Sequence, residues 1–203
     1  MNRVAAILLA AGQSRRMGAF KPLLPFGNTT VIESCIDYLR QGGAETIVAV
    51  LGHRADEMRA RLNNVTVAIN PDPASEMGAS IAAGVRALPA DAKCVLIALG
   101  DHPAIPPTVV EELIEEWQNG ARLVIPTWQG RGGHPVLVDL SFRSDLINLS
   151  RPDSGGLRAL FKTHESDVRR LPVNSPFVAR DMDTWDDYLA LHEEAFGHPP
   201  PSV

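Results

Sequence analysis

The apolar positions of this chain fall into short runs separated by stretches of helical period. Runs of strand character occur at 4–10, 46–51, 65–70, 94–99 and 123–126; they are short and rich in aliphatic side chains. Between them the spacing predicts helices over 30–41, 55–62, 80–87 and 107–119. Thr30 with Glu33 and Thr108 with Glu111 fit a capping box, and Gly42-Gly43 and Gly120 supply stops. CVLIAL places apolar residues at successive positions, as a strand covered on both faces requires. The predicted fold is therefore α/β: a doubly wound, mainly parallel sheet with helices on both faces, a Rossmann-like arrangement. Such a sheet gathers the C-terminal ends of its strands along one edge, where ligands bind. The polar loops 12–21, 70–78 and 100–102 leave from that edge.

Beyond Trp128 the pattern loosens. WQGRGGHPVLV reads as a glycine-rich turn entering a strand, DSGGLRALFKTH as a short helix and VRRLPV as another strand. In DMDTWDDYLALHEEAF, Thr184 caps a helix running to Phe196. Repeats and low-complexity linkers are absent, so one domain is expected over 1–197. The proline-rich tail 198–203 is expected to be disordered, with nothing to order it.

Composition narrows the function. With 203 residues and 45% hydrophobic content the chain supports one sizeable core. A net charge of −5 argues against a nucleic-acid or membrane partner, since both need a broad basic surface. Cys35 and Cys94 are far apart and each lies in an apolar segment, which fits buried thiols in a reducing cytosol rather than a disulfide or zinc site. MNRVAAILLAAG has the outline of an export signal, but its apolar run is short and enters a basic loop at once, so it reads as a buried first strand and a cytoplasmic location is expected.

Against this acidic background LLAAGQSRRMGAFKP stands out. It fits neither G-x-x-x-x-G-K-[ST] nor G-x-G-x-x-G. Its physics still suits a polyphosphate: glycines let backbone amides approach an anion, and Arg16 and Lys21 can neutralise several oxygens. A solvated loop with ordinary surface cations is the other reading. VLIALGDHP places Asp101 just beyond a buried strand, where a carboxylate beside a triphosphate is a natural Mg²⁺ ligand and where a turn Asp before a proline would look the same. In DMDT, Asp181 and Asp183 fall on one side of an extended segment, although helix capping also places acids there.

L-A-A-G-x-S-x-R-M-G-x-x-K, running from Leu9 to Lys21, resembles the signature of the MobA-like nucleotidyltransferases, and within them the molybdenum cofactor cytidylyltransferase branch. The resemblance extends from Val4 to about Leu191. It implies that Leu9, Ala10, Ala11 and Gly12 hold the nucleoside, that Arg16 and Lys21 hold the triphosphate, and that Asp101 and Asp183 bind Mg²⁺. Arg16, Lys21 and Asp101 are then the catalytic set. Ala11, where the guanylyltransferase branch has glycine, leans toward CTP. The stretch 70–84 aligns loosely and adds Asn70 and Ser80 to the nucleotide contacts. Gly133 and His134 of GRGGHPVLV resemble the element facing the second substrate; His102, in the place of a usual Gln, and Asp153 join that side. A histidine fixed by backbone contacts in a tight turn is the competing reading of His134.

The activity implied is transfer of CMP from CTP to the terminal phosphate of molybdopterin-bound molybdenum, releasing pyrophosphate, with a molybdenum hydroxylase as a downstream partner. Use of GTP, a sugar or alcohol phosphate as acceptor, and a non-catalytic carrier of the cofactor are the alternatives. A Rossmann oxidoreductase lacks its glycine fingerprint here.

Overall fold

The computed structural model describes residues 3–12, 17–72 and 75–201. In chain order its first half comprises β1 (Val4–Ala10), a hairpin of β2 (Pro25–Phe26) and β3 (Thr29–Thr30), α1 (Val31–Gln41), β4 (Thr46–Leu51), α2 (Ala55–Arg59), β5 (Thr66–Ile69), α3 (Met77–Ala87) and β6 (Cys94–Leu99). There follow α4 (Pro107–Gln118), β7 (Leu123–Trp128), β8 (Arg131–Gly132), β9 (Val136–Asp139), α5 (Arg143–Asn148), α6 (Gly156–Thr163), β10 (Val168–Pro172) and α7 (Trp185–Phe196).

The main sheet has the order β10-β7-β9-β6-β1-β4-β5, with β8 paired to β7. β1 lies parallel to both neighbours, with Ile7 opposite Val48 on one side and Ile97 on the other. β9 alone on this path runs against its neighbours β6 and β7. From β1 the chain steps outward to β4 and β5, then returns through α3 to β6 on the other side of β1. That reversal makes the β1/β6 junction the switch point of the sheet.

Side-chain alternation explains why the central strands are apolar at every position. Ala6 and Leu8 of β1, Ala49 of β4 and Leu96 of β6 enter one core with α1 and α4. Ile7, Val48, Val50 and Ile97 point the other way and pack with Ile81 and Val85 of α3 and Leu146 of α5. Each aliphatic side chain fully buried in these layers stabilises the fold by roughly 1.5–3 kcal/mol. A third cluster, including Met17, Phe26, Met182, Tyr188 and Leu191, seats α7 on the β2–β3 hairpin. Tyr188 Oη donates to the Pro25 carbonyl at 2.6 Å, and the Gly27 amide donates to His192 Nε2 at 3.2 Å. The last helix is thereby fastened over the segment that follows Lys21. At the start of the tail, the His198 carbonyl lies 2.9 Å from His192 Nδ1.

The capping box forms at Thr30, whose hydroxyl accepts from the Glu33 amide while Glu33 accepts from the Thr30 amide at 2.9 Å. Thr184 caps α7 in the same way with Asp187. The box expected at Thr108 does not form. α4 instead begins at Pro107 behind Pro106, since proline is preset for the first helical position and has no amide there to satisfy. α3 starts at Met77, earlier than residue 80: Gly78 fits where a Cβ would lie 2.1 Å from the Leu149 carbonyl, so this glycine serves helix packing rather than a loop. α2 ends at Arg59, short of 62, and the six-residue α5 was not expected. Among the described residues no helix is long and apolar enough to cross a membrane.

Candidate active site

Where β1 and β6 end, the sheet opens into a cleft of about 420 Å³. Leu9, Ala10, Ala11 and Gly12 line it from one strand, Leu99 and Gly100 from the other. The two strand ends close on each other: the Gly100 amide donates to the Leu9 carbonyl at 2.9 Å. A Cβ at Gly100 would lie 3.0 Å from the Leu9 oxygen, and one at Gly52 would lie 2.9 Å from the Ala11 oxygen. Glycine at both places lets backbone pass close to backbone. At Gly12 no described atom lies within 4 Å of a would-be Cβ.

Three charged side chains from remote segments meet in this cleft. Lys21 begins a single 3₁₀ turn, Lys21–Leu23. Its side chain is only 8% exposed, and its Nζ donates to Asp183 Oδ1 at 2.8 Å across 162 positions of sequence. Asp183 is set by the capped start of α7, where Asp187 accepts from its amide at 3.2 Å. Asp101 occupies the turn after β6 with 34% of its side chain open to the cleft. Burial raises its carboxyl above the usual range, opposed by the neighbouring His102 and Lys21.

Asn70 and Ser80 also reach the cleft, and they bind each other there. The Asn70 amide nitrogen lies 2.8 Å from Ser80 Oγ and 2.9 Å from Ser75 Oγ, and its oxygen accepts from the Asp72 amide at 3.1 Å. Their hydrogen bonds shape the wall formed by Asn70, Ser75 and Ser80. Arg16 lies outside the described residues.

The residues expected on the second-substrate side are differently placed. His102 is buried, with Nε2 3.0 Å from Asp181 Oδ1, and this hydrogen bond is the main cause lowering the Asp181 pKa. The His134 ring stands edge-on to His102 at 6.2 Å. Burial holds the His134 imidazole down at about 4, with the neighbouring His102 ring adding to the effect. The His134 amide donates to the Val178 carbonyl at 2.8 Å, and a Cβ on Gly133 would lie 2.0 Å from that same oxygen. The glycine-rich turn therefore braces the segment that leads to Asp181 and Asp183. Asp153 does not line the cleft. It is exposed, 3.4 Å from Arg151 Nε, in a separate depression beside α5 and α6.

Two features escaped sequence reasoning. Met77 lines the cleft while half exposed, and an apolar residue at a helix start gives no signal of that. Asp181 is paired with a buried histidine, which its position two residues before Asp183 could not show. Among the described residues no group of three or more His, Cys, Asp or Glu side chains is gathered to hold a metal.

Among the described residues a buried cation and two carboxylates share the switch-point cleft, an arrangement suited to an α/β nucleotidyltransferase. A family model described as the MobA-like NTP transferase domain matches residues 6–168, and the chain belongs to that family. The molybdenum cofactor cytidylyltransferase of Escherichia coli strain K12 is 29% identical over 198 residues, covering 95% of this chain and 97% of its own length. The nicotine blue oxidoreductase of Paenarthrobacter nicotinovorans is also 29% identical over 198 residues, covering 93% and 96%. A solved structure of Rv0371c from Mycobacterium tuberculosis H37Rv in complex with manganese superposes with a TM-score of 0.77 at 27% identity, covering 94% of this chain and 98% of its own.

Proposed function

We propose that this chain transfers CMP from CTP to the terminal phosphate of the molybdenum cofactor, in a reaction that requires Mg²⁺. The observation that carries the reading is the convergence of Lys21, Asp101 and Asp183 on one cleft. Support for the acceptor comes from the E. coli relative, whose name is that of a molybdenum cofactor cytidylyltransferase. Manganese in a structural relative supports a divalent metal. With no third side-chain ligand gathered nearby among the described residues, Asp101 and Asp183 fit Mg²⁺, which takes one or two carboxylates and completes its shell with phosphate oxygens and water. Bound there, the ion would supply Lewis-acid stabilisation of charge on the phosphates.

In this mechanism an acceptor phosphate oxygen forms a bond to the α-phosphorus of CTP as the bond to the β-phosphate oxygen breaks and pyrophosphate departs. The chain positions two anions and stabilises the charge that shifts onto the leaving group. Lys21 Nζ turns from Asp183 to the phosphates while Asp183 serves as a metal ligand, and Arg16 also acts on the triphosphate. The backbone of 9–12 receives the nucleoside against the wall set by Asn70 and Ser80. The acceptor enters on the side of His102, Gly133 and His134, and Asp153 marks the far limit of its approach. The acceptor phosphate is already ionised at neutral pH, so no general base is needed. The reducing cytoplasm is the setting proposed, with both cysteines free and buried and burial raising Cys94 to about 12; a molybdenum hydroxylase is the proposed recipient.

One observation favours a second reading: a relative of equal identity bears the name of an oxidoreductase. Pyrophosphate release is to be measured with each of four nucleoside triphosphates, with and without molybdenum cofactor, alongside NAD(P)H oxidation. Release that needs CTP and the cofactor together supports the proposal. Turnover with a sugar phosphate alone overturns the acceptor, and nicotinamide oxidation without pyrophosphate release overturns the transferase chemistry.

A further inference from the structure

The two carboxylates of the cleft come from turns that no regular hydrogen-bonded element joins. Asp101 follows β6, and Asp183 lies in the irregular segment before α7. A side-chain hydrogen bond between described residues ties these turns together, and it involves residues close to both carboxylates. His102, next to Asp101, places Nε2 3.0 Å from Oδ1 of Asp181, two residues before Asp183. The same Nε2 lies 4.0 Å from Asp101 Oδ1, so the ring stands between the two turns.

Three further facts make this a fixed link. His102 is buried and its Nδ1 has no hydrogen-bond partner among the described residues, and because an ionised carboxylate only accepts, Nε2 is the donor to Asp181. Met182 is fully buried in the α7 cluster between the two aspartates, so Asp181 and Asp183 alternate with it and share the opposite side. Asp181 keeps 68% of its side chain exposed. An exposed carboxylate held by a buried imidazole has given up part of its hydration for one partner, and this chain gains no core packing from it.

We propose that the His102–Asp181 hydrogen bond sets the spacing between Asp101 and Asp183, making both His102 and Asp181 positioning residues for a divalent cation. The inference rests on the metal reading given above. Metal ligands need oriented support, and loss of an outer partner typically weakens metal affinity about 10–100-fold.

The test reads binding rather than turnover. CTP is titrated into the full chain once in Mn²⁺ and once in EDTA, and the ratio of the two dissociation constants is the affinity the metal adds. His102→Leu and Asp181→Ala are each expected to cut that ratio by about tenfold, while the EDTA value stays as in the unmodified chain. The double variant should lose no more than either single one, because both remove the same bond. His102→Gln, which carries an amide N–H at a similar reach, should restore the ratio. Because Asp181 is exposed, Asp181→Ala carries the test even if His102→Leu fails to fold. A full metal contribution in Asp181→Ala, or additive losses in the double variant, overturns the proposal. Asp101→Asn and Asp183→Asn identify the level of any failure. If both keep the ratio, the metal reading falls and the positioning role with it; if they abolish it while Asp181→Ala does not, the positioning role alone falls.

Discussion

The loop that leaves β1 lines the cleft and the glycine-rich turn 130–135 lies behind it, and the two use their polar residues in opposite ways. On the side of β1, Lys21, Asp101 and Asp183 face shared space. On the side of 130–135, Gly133 and the His134 amide are engaged with Val178. A turn of the first kind leaves groups available to a ligand, whereas one of the second kind holds another turn in place. The largest effect should therefore come from the first side. Asp101→Asn is expected to lower CTP-dependent pyrophosphate release about 10²–10³-fold, equivalent to about 3–4 kcal/mol of lost charge stabilisation, with the melting temperature unchanged or raised because a buried carboxylate has been neutralised. Release within threefold of the unmodified rate, as an order-of-magnitude threshold, would remove Asp101 from the chemistry.

The matching substitution on the other side should act on the fold. Gly133→Ala puts a methyl carbon 2.0 Å from the Val178 carbonyl oxygen, a backbone atom that cannot swing away. Relieving that overlap is expected to destabilise the chain by about 3 kcal/mol. At about 2–4 °C per kcal/mol for a chain of this length, calorimetry should show a melting point lowered by roughly 6–12 °C. An unchanged melting point with weakened acceptor binding would move Gly133 from the brace to the substrate surface and erase the contrast between the two sides.

Much of this architecture is readable in the chain, and most of what is not readable depends on distant partners. Strands 4–10, 46–51 and 94–99 end where the apolar runs end, because a strand buried on both faces has no polar position to blur its limits. The meeting of Lys21 with Asp101 follows from the alternation of strands and helices, which sends the polar loops to one edge. Most of what the sequence hides has its partner far along the chain. Gly78 starts a helix early because Leu149 lies against it, and His102 is framework because Asp181 reaches it from 79 positions away. Thr108 failed as a cap for a local reason, the two prolines before it. RSDLIN is too short for its period to register as a helix.

His134 sharpens the comparison through pH. Its folded pKa of about 4 lies below the ordinary histidine value of 6.5. Above pH 6.5 the ring is neutral in folded and unfolded chains alike. Between 6.5 and about 4 the unfolded chain takes up a proton that the folded chain does not, so stability is lost as the pH falls through that window. Between pH 7 and pH 5 the loss from this one group is expected to be about 2 kcal/mol. Urea unfolding of the unmodified chain and of His134→Gln at both pH values isolates it: the pH difference should shrink by that amount in the variant. An equal pH difference in both chains would mean that the ring is open to water, as a substrate-facing side chain would be.

The smallest effect is expected at Asp153, which tests how far the second side extends. Its carboxylate is exposed and paired with an equally exposed Arg151 at 3.4 Å, and such surface pairs contribute about 0–1 kcal/mol. It lies with Asp145 and His164 in the depression beside α5 and α6, apart from the residues that line the cleft. Asp153→Ala should leave stability, kcat and the KM for CTP unchanged. The informative quantity is the KM for the acceptor: Gly78 of α3 packs against Leu149, which lines the second depression, so a bulky second substrate reaching Asp153 has to cross that contact. An acceptor KM raised severalfold with kcat intact would show uniform binding at Asp153 and carry the substrate surface across that contact, whereas an unchanged KM confines recognition to the cleft and the brace beside it.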